Sequence, residues 1–564
     1  MQKREKIYTI LIGGQAGDGA REAGVNLGRL LSKMGYYVVN TVEYPSLIRG
    51  GHNFCRISFS KEKLFSDYTA LDAIIALNQE TVLLHQKELK KDGVIFFDNN
   101  LNSVTGKTGK LISLPISSYA KEAGVSQMMR TAVALGAFCY YFGIEINLLN
   151  KVFEEIFKQK AQPNIDLAQK GYKYLADKKF DKIKFDLPTK TEKGEMIDGN
   201  AAVAEGMVKA GMKNYIAYPM TPATSVLHHL AKKAEVYGLK VTQAESELAV
   251  INMALGCAYA GVRTATGSSG GGFALMLEAL SMAGMAEIPV VAVESQRPGP
   301  STGVPTRTAQ GDLDFVRRIP GEFPRIVLAP GDQEEAYELG GAVMNLAWKY
   351  QMPAVVMLDK CLSESQANVD LKNIKIKLEK IKTSAGGINY KRYAFGGNGV
   401  SPLCFPGTPN TVVKAGSYEH DEQGYICEDG KISEKMFTKR FSKVKELEKE
   451  IKNIKGIRVY GDKKSKNIVV FWGSTKGAVL EAIKHTKKSV KAVQVVAIEP
   501  LPTKILIEVL RSAKKIVDIE LNFTAQLAQL ICEKTGIKIK NKILKYDTTA
   551  YEPMELAKKI DKIL

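Results

Sequence analysis

The chain has 564 residues, enough for three or four domains of ordinary size, and its 45% hydrophobic and 25% charged residues are globular proportions. No stretch approaches the roughly 18 consecutive apolar residues that a membrane helix needs. The apolar run Ile7–Ile12 enters a glycine turn rather than a small-residue cleavage site, so it reads as the first strand of a cytoplasmic protein and not as a signal peptide.

The net charge is +19, and from Lys431 onward 30 basic residues face 15 acidic ones. A basic surface favours acidic partners or carriers, but no nucleic-acid motif or interleaved aromatics accompany it, so solvated lysines are the plainer reading and no nucleic-acid partner is expected. The seven cysteines (Cys55, Cys139, Cys257, Cys361, Cys404, Cys427 and Cys532) are scattered and form no C-x-x-C. That argues against a disulfide framework, and an iron–sulfur cluster, which needs about four converging thiolates, is not expected on this chain.

Residues 1–178 alternate strand-like and helix-like patterns. Strands are expected at Tyr8–Ile12, Tyr36–Val42, Asp72–Leu77 and Gly93–Phe97, with a helix at Ala20–Met34, which indicates a layered βαβ domain. Gly13–Gly19 follows the first strand and opens the helix. Its backbone N–H groups can cradle a phosphate, or it is simply a tight turn. The glycine order is not G-x-G-x-x-G and no Walker lysine follows. A second cluster, Tyr44–His52, sets Arg49 and His52 beside Gly50 and Gly51, as an anion contact or an interface turn. Residues 179–197 are charged, carry proline and lack a sustained period, and read as a linker.

Residues 198–389 carry expected strands at Asn214–Ala217, Lys240–Gln243, Thr264–Thr266, Val290–Val293, Arg325–Leu328 and Ala354–Leu358, with helices such as Glu247–Ala260 and Ala274–Ala283 between them. Near-continuous apolar strands are what a parallel sheet covered on both faces requires. Residues 390–432 are rich in Gly, Pro and Asn, too long for an ordinary loop, and are either functional or wrapped on a neighbour. Within them Glu419-His420-Asp421-Glu422 lacks a second nearby histidine and reads as a solvated loop or partner contact rather than a metal site. Residues 433–564 open with a charged helix to about Asn453 and continue as a small parallel α/β domain, with strands at Ile468–Phe471, Val493–Ile498 and Ile516–Ile519.

Four strand-to-helix loops of the central block fall on the edge where parallel sheets bind ligands. In Tyr218-Pro219-Met220-Thr221-Pro222, two prolines fix the direction of the Thr221 hydroxyl; the plainer reading is a turn before a helix capped by Thr224 or Ser225. In Gln243-Ala244-Glu245-Ser246-Glu247, a carboxylate stands at the mouth of an apolar helix, where it needs a job, a partner or a capping role. Thr266–Phe273 is a Ser/Gly loop. The loop Glu294–Thr306 holds Arg297 between glycines and prolines, suited to bidentate carboxylate recognition with Thr302 and Thr306, unless it is a surface arginine in a rigid turn.

Taken together, the runs Y-P-M-T-P, Q-A-E-x-E, T-G-x-S-G-G-G-F-A-L-M and S-Q-R-P-G-P-S-T-G-x-P-T-R-T-x-Q-G-D closely resemble the alpha subunit of the 2-oxoacid:ferredoxin oxidoreductases, nearest the 2-oxoglutarate type. The loops at residues 13–19 and 48–52 resemble that family's fused N-terminal gamma domain, although Ala16 is inserted in the glycine loop relative to its commonest form. The resemblance covers nearly the whole chain. It implies an α/β protein of three domains: gamma-type, pyrimidine-side thiamine-diphosphate-binding, and C-terminal transketolase-C-like.

The resemblance further implies that Glu247 contacts the aminopyrimidine of thiamine diphosphate, with Glu245 the competing candidate, and that Pro219, Ser269 and Gly270 lie against the cofactor. A carboxyl at one ring nitrogen lets the 4-amino group act as base on the thiazolium C2–H. Thr221, Arg297, Thr302 and Thr306 match positions that hold the oxoacid. The diphosphate-side G-D-G…N motif has no convincing match, since Gly17-Asp18-Gly19 lacks its asparagine. The resemblance therefore implies a beta subunit carrying Mg²⁺ and a 4Fe–4S cluster, CoA as co-substrate, ferredoxin as acceptor and a dimer of alpha–beta units. Rival readings are a pyruvate- or branched-chain-specific relative, a non-redox thiamine enzyme subunit, or a non-catalytic α/β scaffold.

Overall fold

The strand Tyr8–Gln15 organises the first sheet, as its apolar run demands: Ile10, Leu11 and Ile12 are fully buried. The computed structural model describes residues 6–47, 50–101, 109–183, 185 and 193–564. Ile48 and Arg49 of the 44–52 cluster and part of the expected linker, residues 184 and 186–192, lie outside the described residues. The chain forms two units, one made of its first 197 residues with Ser365–Leu371 and Glu552–Met554, the other of the remainder. No helix among the described residues is long and apolar enough to cross a membrane.

In the first unit an eight-stranded sheet runs Lys110–Leu114, Leu89–Asp98, Leu71–Ala76, Tyr8–Gln15, His52–Ser60, Tyr37–Glu43, Gln366–Val369 and Glu195–Asp198. The first four strands are parallel, as the βαβ expectation requires. His52–Ser60, absent from the sequence reading, lies antiparallel between Tyr8–Gln15 and Tyr37–Glu43, so this half of the sheet is antiparallel, with the third strand inserted between the first two. Its apolar residues Cys55, Ile57 and Phe59 recur at period two and are fully buried. The intervening Ser58 is paired with the Thr9 hydroxyl at 2.9 Å. Gln366–Val369 adds to the edge of Tyr37–Glu43, where Asn368 accepts from Val38 N–H at 2.8 Å and donates to Tyr36 O at 2.7 Å.

In the second unit a seven-stranded sheet runs Ala497–Glu499, Ile326–Leu328, Ala354–Asp359, Val291–Gln296, Thr264–Ser268, Asn214–Ala217 and Lys240–Gln243, parallel except for the first strand. The helices Gly199–Lys209 and Gln333–Tyr350 pack backbone to backbone. A Cβ on Gly206 would stand 2.1 Å from Tyr337 O, and one on Gly340 would stand 2.5 Å from Val203 O. Only glycine permits that approach.

A five-stranded sheet follows, Ile457–Gly461, Lys491–Val495, Asn467–Phe471, Lys515–Glu520 and Asn541–Leu544. The strand expected at Val493–Ile498 is therefore two strands in two sheets, divided at Val496. Lys491–Val495 stays in the C-terminal sheet, and Ala497–Glu499 turns back to pair with Ile326–Leu328.

The charged helix is Gly430–Asn453, opened by Asp429, whose carboxylate accepts from Lys431 and Ile432 N–H at 3.0 Å. Its Lys439 and Lys443 both reach the buried Glu287, Lys439 at 2.6 Å. Arg392 donates to Glu287 O at 2.7 Å, so the irregular segment and this helix clasp one turn of the central domain. In that segment Glu419 pairs with Arg440, and His420 is buried against the Tyr393 ring. No group of three or more potential metal-ligating side chains occurs among the described residues.

Candidate functional site

Four neighbouring parallel strands, Val291–Gln296, Thr264–Ser268, Asn214–Ala217 and Lys240–Gln243, end on one edge and deliver the four loops singled out from the sequence side by side. Within three residues of its end each strand meets Pro, Gly or Ser, which releases the chain at the carboxyl end of the sheet.

Glu247 is the first residue of the helix Glu247–Tyr259 and is 3% exposed, whereas Glu245 is exposed. The Ser246 hydroxyl caps the helix by accepting from Ala249 N–H at 3.3 Å, so Glu247 is spared that duty. Its Oε1 accepts from the Ser268 hydroxyl at 3.2 Å. A Cβ on Gly272 would stand 2.2 Å from that oxygen, so glycine there keeps the carboxylate in place. Ser269, one residue on, is fully buried and its hydroxyl has no partner among the described residues, and the Thr266 hydroxyl is in the same condition. Buried polar groups without partners are uncommon and mark places prepared for a ligand or a proton.

The Tyr218–Pro222 turn is held from behind. Asn200, fully buried on the helix Gly199–Lys209, donates to Pro222 O at 2.8 Å and to the Ser225 hydroxyl at 2.7 Å. The following helix starts at Thr224 with Ala223 as its cap and no side-chain capping bond, so the capping role read for Thr224 or Ser225 is not what fixes this turn. The Thr221–Pro222 peptide is cis. Arg297 is 9% exposed, and its Nη1 donates at 2.8 Å to the carbonyl oxygen of Thr221, not to the hydroxyl. Its Nε has no partner among the described residues. Burial lowers its pKa, opposed by Glu294, Asp312 and Glu247.

The structure thus brings Thr221, Arg297, Glu247 and the Ser268–Gly272 loop together. Pro219 is half-buried; Thr306 is buried and Thr302 exposed on the Arg297 loop. That loop is pinned by residues the sequence reading did not single out. Gln310, fully buried, donates to Trp472 O at 2.8 Å and accepts from Leu521 N–H at 3.0 Å, and Asn522 donates to Gln310 O at 3.0 Å. The Thr308 hydroxyl donates to Asp359 at 3.1 Å. The C-terminal domain therefore holds the arginine loop in shape. Gln310-Gly311-Asp312 was visible as a motif tail, but only the fold reveals what Gln310 grips.

The N-terminal clusters are more self-contained. Asp18 accepts from Gln15 N–H at 2.9 Å and pairs with Arg130 at 2.7 Å, so the glycine loop is braced by its own acid. His52 shares a 2.8 Å contact with His85, and its pKa is lowered to about 4 by burial and by the neighbouring imidazole.

Comparisons with known proteins agree with this geometry. The family model for "Pyruvate flavodoxin/ferredoxin oxidoreductase, thiamine diP-bdg" matches residues 205–438, so the four loops lie in a thiamine-diphosphate-binding domain, and that for "Pyruvate ferredoxin/flavodoxin oxidoreductase" matches residues 9–174. The 2-oxoacid:ferredoxin oxidoreductase subunit alpha of Sulfolobus sp is 30% identical across 98% of this chain and 96% of its own length. The 2-oxoglutarate oxidoreductase subunit KorA of Mycobacterium tuberculosis is 27% identical over 95% of this chain and 89% of its own. The structure of 2-oxoglutarate:ferredoxin oxidoreductase from Magnetococcus marinus, with 2-oxoglutarate, coenzyme A and succinyl-CoA bound, superposes with a TM-score of 0.89 at 30% identity, over 99% of this chain and 100% of that one. The chain belongs to the 2-oxoacid:ferredoxin oxidoreductase family, as an alpha-type subunit of these oxidoreductases.

Proposed function

We propose that this chain supplies the pyrimidine-side half of a thiamine diphosphate site in a cytoplasmic complex that oxidatively decarboxylates a 2-oxoacid, 2-oxoglutarate for preference, with CoA. The products are the acyl-CoA and CO₂, and two electrons pass to ferredoxin. A beta subunit contributes the Mg²⁺ ligands and the 4Fe–4S cluster, and the working assembly is a dimer of alpha–beta units.

The observation that carries the reading is the pairing of a buried carboxylate, Glu247, with a loop of unpartnered hydroxyls, one strand away from a buried arginine that keeps spare donors. The residues fit the cofactor. Glu247 has lone pairs left beyond its bond to Ser268, Ser269 offers a free hydroxyl, and the open glycines admit a flat ring. Bound there, thiamine diphosphate supplies the carbanion chemistry that decarboxylation of a 2-oxoacid requires.

Glu247 acts by holding a proton at one pyrimidine nitrogen, its burial strengthening that contact. Arg297 presents Nε and its remaining N–H groups to a substrate carboxylate, while its bond to Thr221 O fixes the fork. Thr221 and Thr306 offer hydroxyls to the oxoacid, with Thr302 at the rim. Gln310 and Asn200 keep the two loops from moving.

The test is co-expression with the partner subunit, followed by CoA-dependent viologen reduction with 2-oxoglutarate, pyruvate and a branched-chain 2-oxoacid. The expected result is the highest kcat/KM for 2-oxoglutarate. Absence of reduction with every oxoacid, in an assembled complex containing cofactor and clusters, refutes the proposal. Arg297→Ala is expected to raise the oxoacid KM at least tenfold, about 1.4 kcal/mol of lost recognition.

A further inference from the structure

Behind Arg297 stand two carboxyl groups that the reaction as described does not use. Glu294 lies near the end of the strand Val291–Gln296 and is fully buried. Its Oε1 accepts the Gly270 N–H at 2.8 Å, and its Oε2 has no donor among the described residues. Asp312 closes the loop that Arg297 opens. Its N–H donates to Gln296 Oε1 at 3.1 Å, and its own Oδ2 has no donor among the described residues. The two carboxyls are in hydrogen-bonding contact with each other.

Two carboxylates in such contact repel, and a single proton held between them relieves the repulsion. Burial is the main cause raising both groups above the ordinary carboxylate range, and the Asp312 charge raises Glu294 further. The charged groups around the pair are few. Arg297 comes from the same loop, and Glu247, from the helix Glu247–Tyr259, acts on Arg297 from the other side. The remaining neighbours, Gly270 N–H and the Gln296 amide, are neutral dipoles.

We propose that Glu294 and Asp312 share one proton and form a positioning pair that sets the charge around Arg297, so that recognition of the oxoacid is linked to that proton. The proposal rests on the reading of Arg297 as the carboxylate's partner. With the proton in place the pair carries one negative charge, which Arg297 balances while remaining attractive to an anion. Loss of the proton puts a second negative charge beside the arginine. At an effective dielectric near 20 and a separation of roughly 6 Å, that charge weakens oxoacid binding by between roughly tenfold and a hundredfold. Glu294 also anchors Gly270 N–H, so the same pair fixes the cofactor-side loop.

The experiment measures KM and kcat for 2-oxoglutarate from pH 6 to 9.5 in the assembled oxidoreductase, for the wild type, Glu294→Gln, Asp312→Asn and Arg297→Ala. The wild-type KM is expected to rise roughly tenfold or more on the alkaline limb, with a smaller change in kcat. Both amide variants hold at most one negative charge and are expected to lose that rise. A flat wild-type KM, or a rise that persists unchanged in either variant, overturns the proposal.

Arg297→Ala separates the two readings. If it raises KM across the range, the oxoacid reading stands and the amide variants report on the pair alone. If it leaves KM unchanged, the reading of Arg297 fails and the proposal with it. One further measurement needs no variant. Infrared difference spectra of the wild-type complex are expected to show a protonated-carboxyl band that shifts when 2-oxoglutarate binds, and its absence overturns the proposal.

Discussion

Replacing Lys443 with Met should leave the chain as stable as before or more stable at neutral pH, whereas replacing Glu287 with Gln should cost about 3–5 kcal/mol. The asymmetry comes from the count of charges. The side chains of Glu287, Lys439 and Lys443 are 1%, 2% and 1% exposed, with the Arg392 guanidinium beside them. Removing the one carboxylate strands buried cations. Removing Lys443 leaves Glu287 matched by Lys439 at 2.6 Å, and Met fills the volume of the lost stem.

Burial pulls the Lys443 pKa from 10.5 down to about 7. Across that window the unfolded chain binds the proton that the folded chain has shed, so Lys443 makes stability rise with pH from about 7 toward 10.5. Lys443→Met abolishes that rise. Urea unfolding of the assembled protein near pH 6.5, 8 and 9.5 is the assay. The advantage of Lys443→Met should be largest at the lowest pH and shrink at the highest. A loss above about 2 kcal/mol at the lowest pH would refute the argument, because the second ion pair would then outweigh its desolvation.

Three further outcomes are expected. Gln310→Ala leaves Leu521 N–H buried without its partner and Trp472 O with the Thr475 hydroxyl alone, which costs about 1–3 kcal/mol and raises the oxoacid KM as the arginine loop loosens; melting curves and steady-state kinetics check both. Gly206→Ala drives a methyl against Tyr337 O, 2.1 Å away, and should lower stability by about 1–3 kcal/mol or more in thermal melts. Asn200→Ala frees Pro222 O and the Ser225 hydroxyl, with an expected loss of about 1–2 kcal/mol and a reduced kcat/KM.

The central sheet was legible because Val291–Gln296 and Ala354–Asp359 are apolar runs buried on both faces, and the four loops because Pro, Gly or Ser follows closely on the strands that bear them. His52–Ser60 escaped because Asn53, Arg56 and Ser58 interrupt the apolar run while leaving its period of two intact. The run from Val493 to Ile498 looks like one strand because both of its halves are buried, in different sheets. Glu247 could be preferred over Glu245 by position, but their contrast in burial appears only once the helix is packed. Glu294 and Asp312 are 18 positions apart, and nothing in Val-Glu-Ser-Gln at a strand end announces that a loop will return an acid to it. The link from Arg297 to Thr221 runs through a main-chain carbonyl, which no side-chain pattern encodes.

The strand Gln366–Val369 has a consequence for synthesis. It sits between Tyr37–Glu43 and Glu195–Asp198 in the N-terminal sheet, yet the ribosome makes it well over a hundred residues after the rest of that sheet. Until then the nascent chain carries an open strand edge at Tyr37–Glu43, the kind of edge that invites pairing with other chains. A fragment cut after residue 197 would keep that edge for good, and would lose the Asn368 bonds to Val38 and Tyr36 as well. Completion of the N-terminal sheet thus waits on translation of the chain through residue 369.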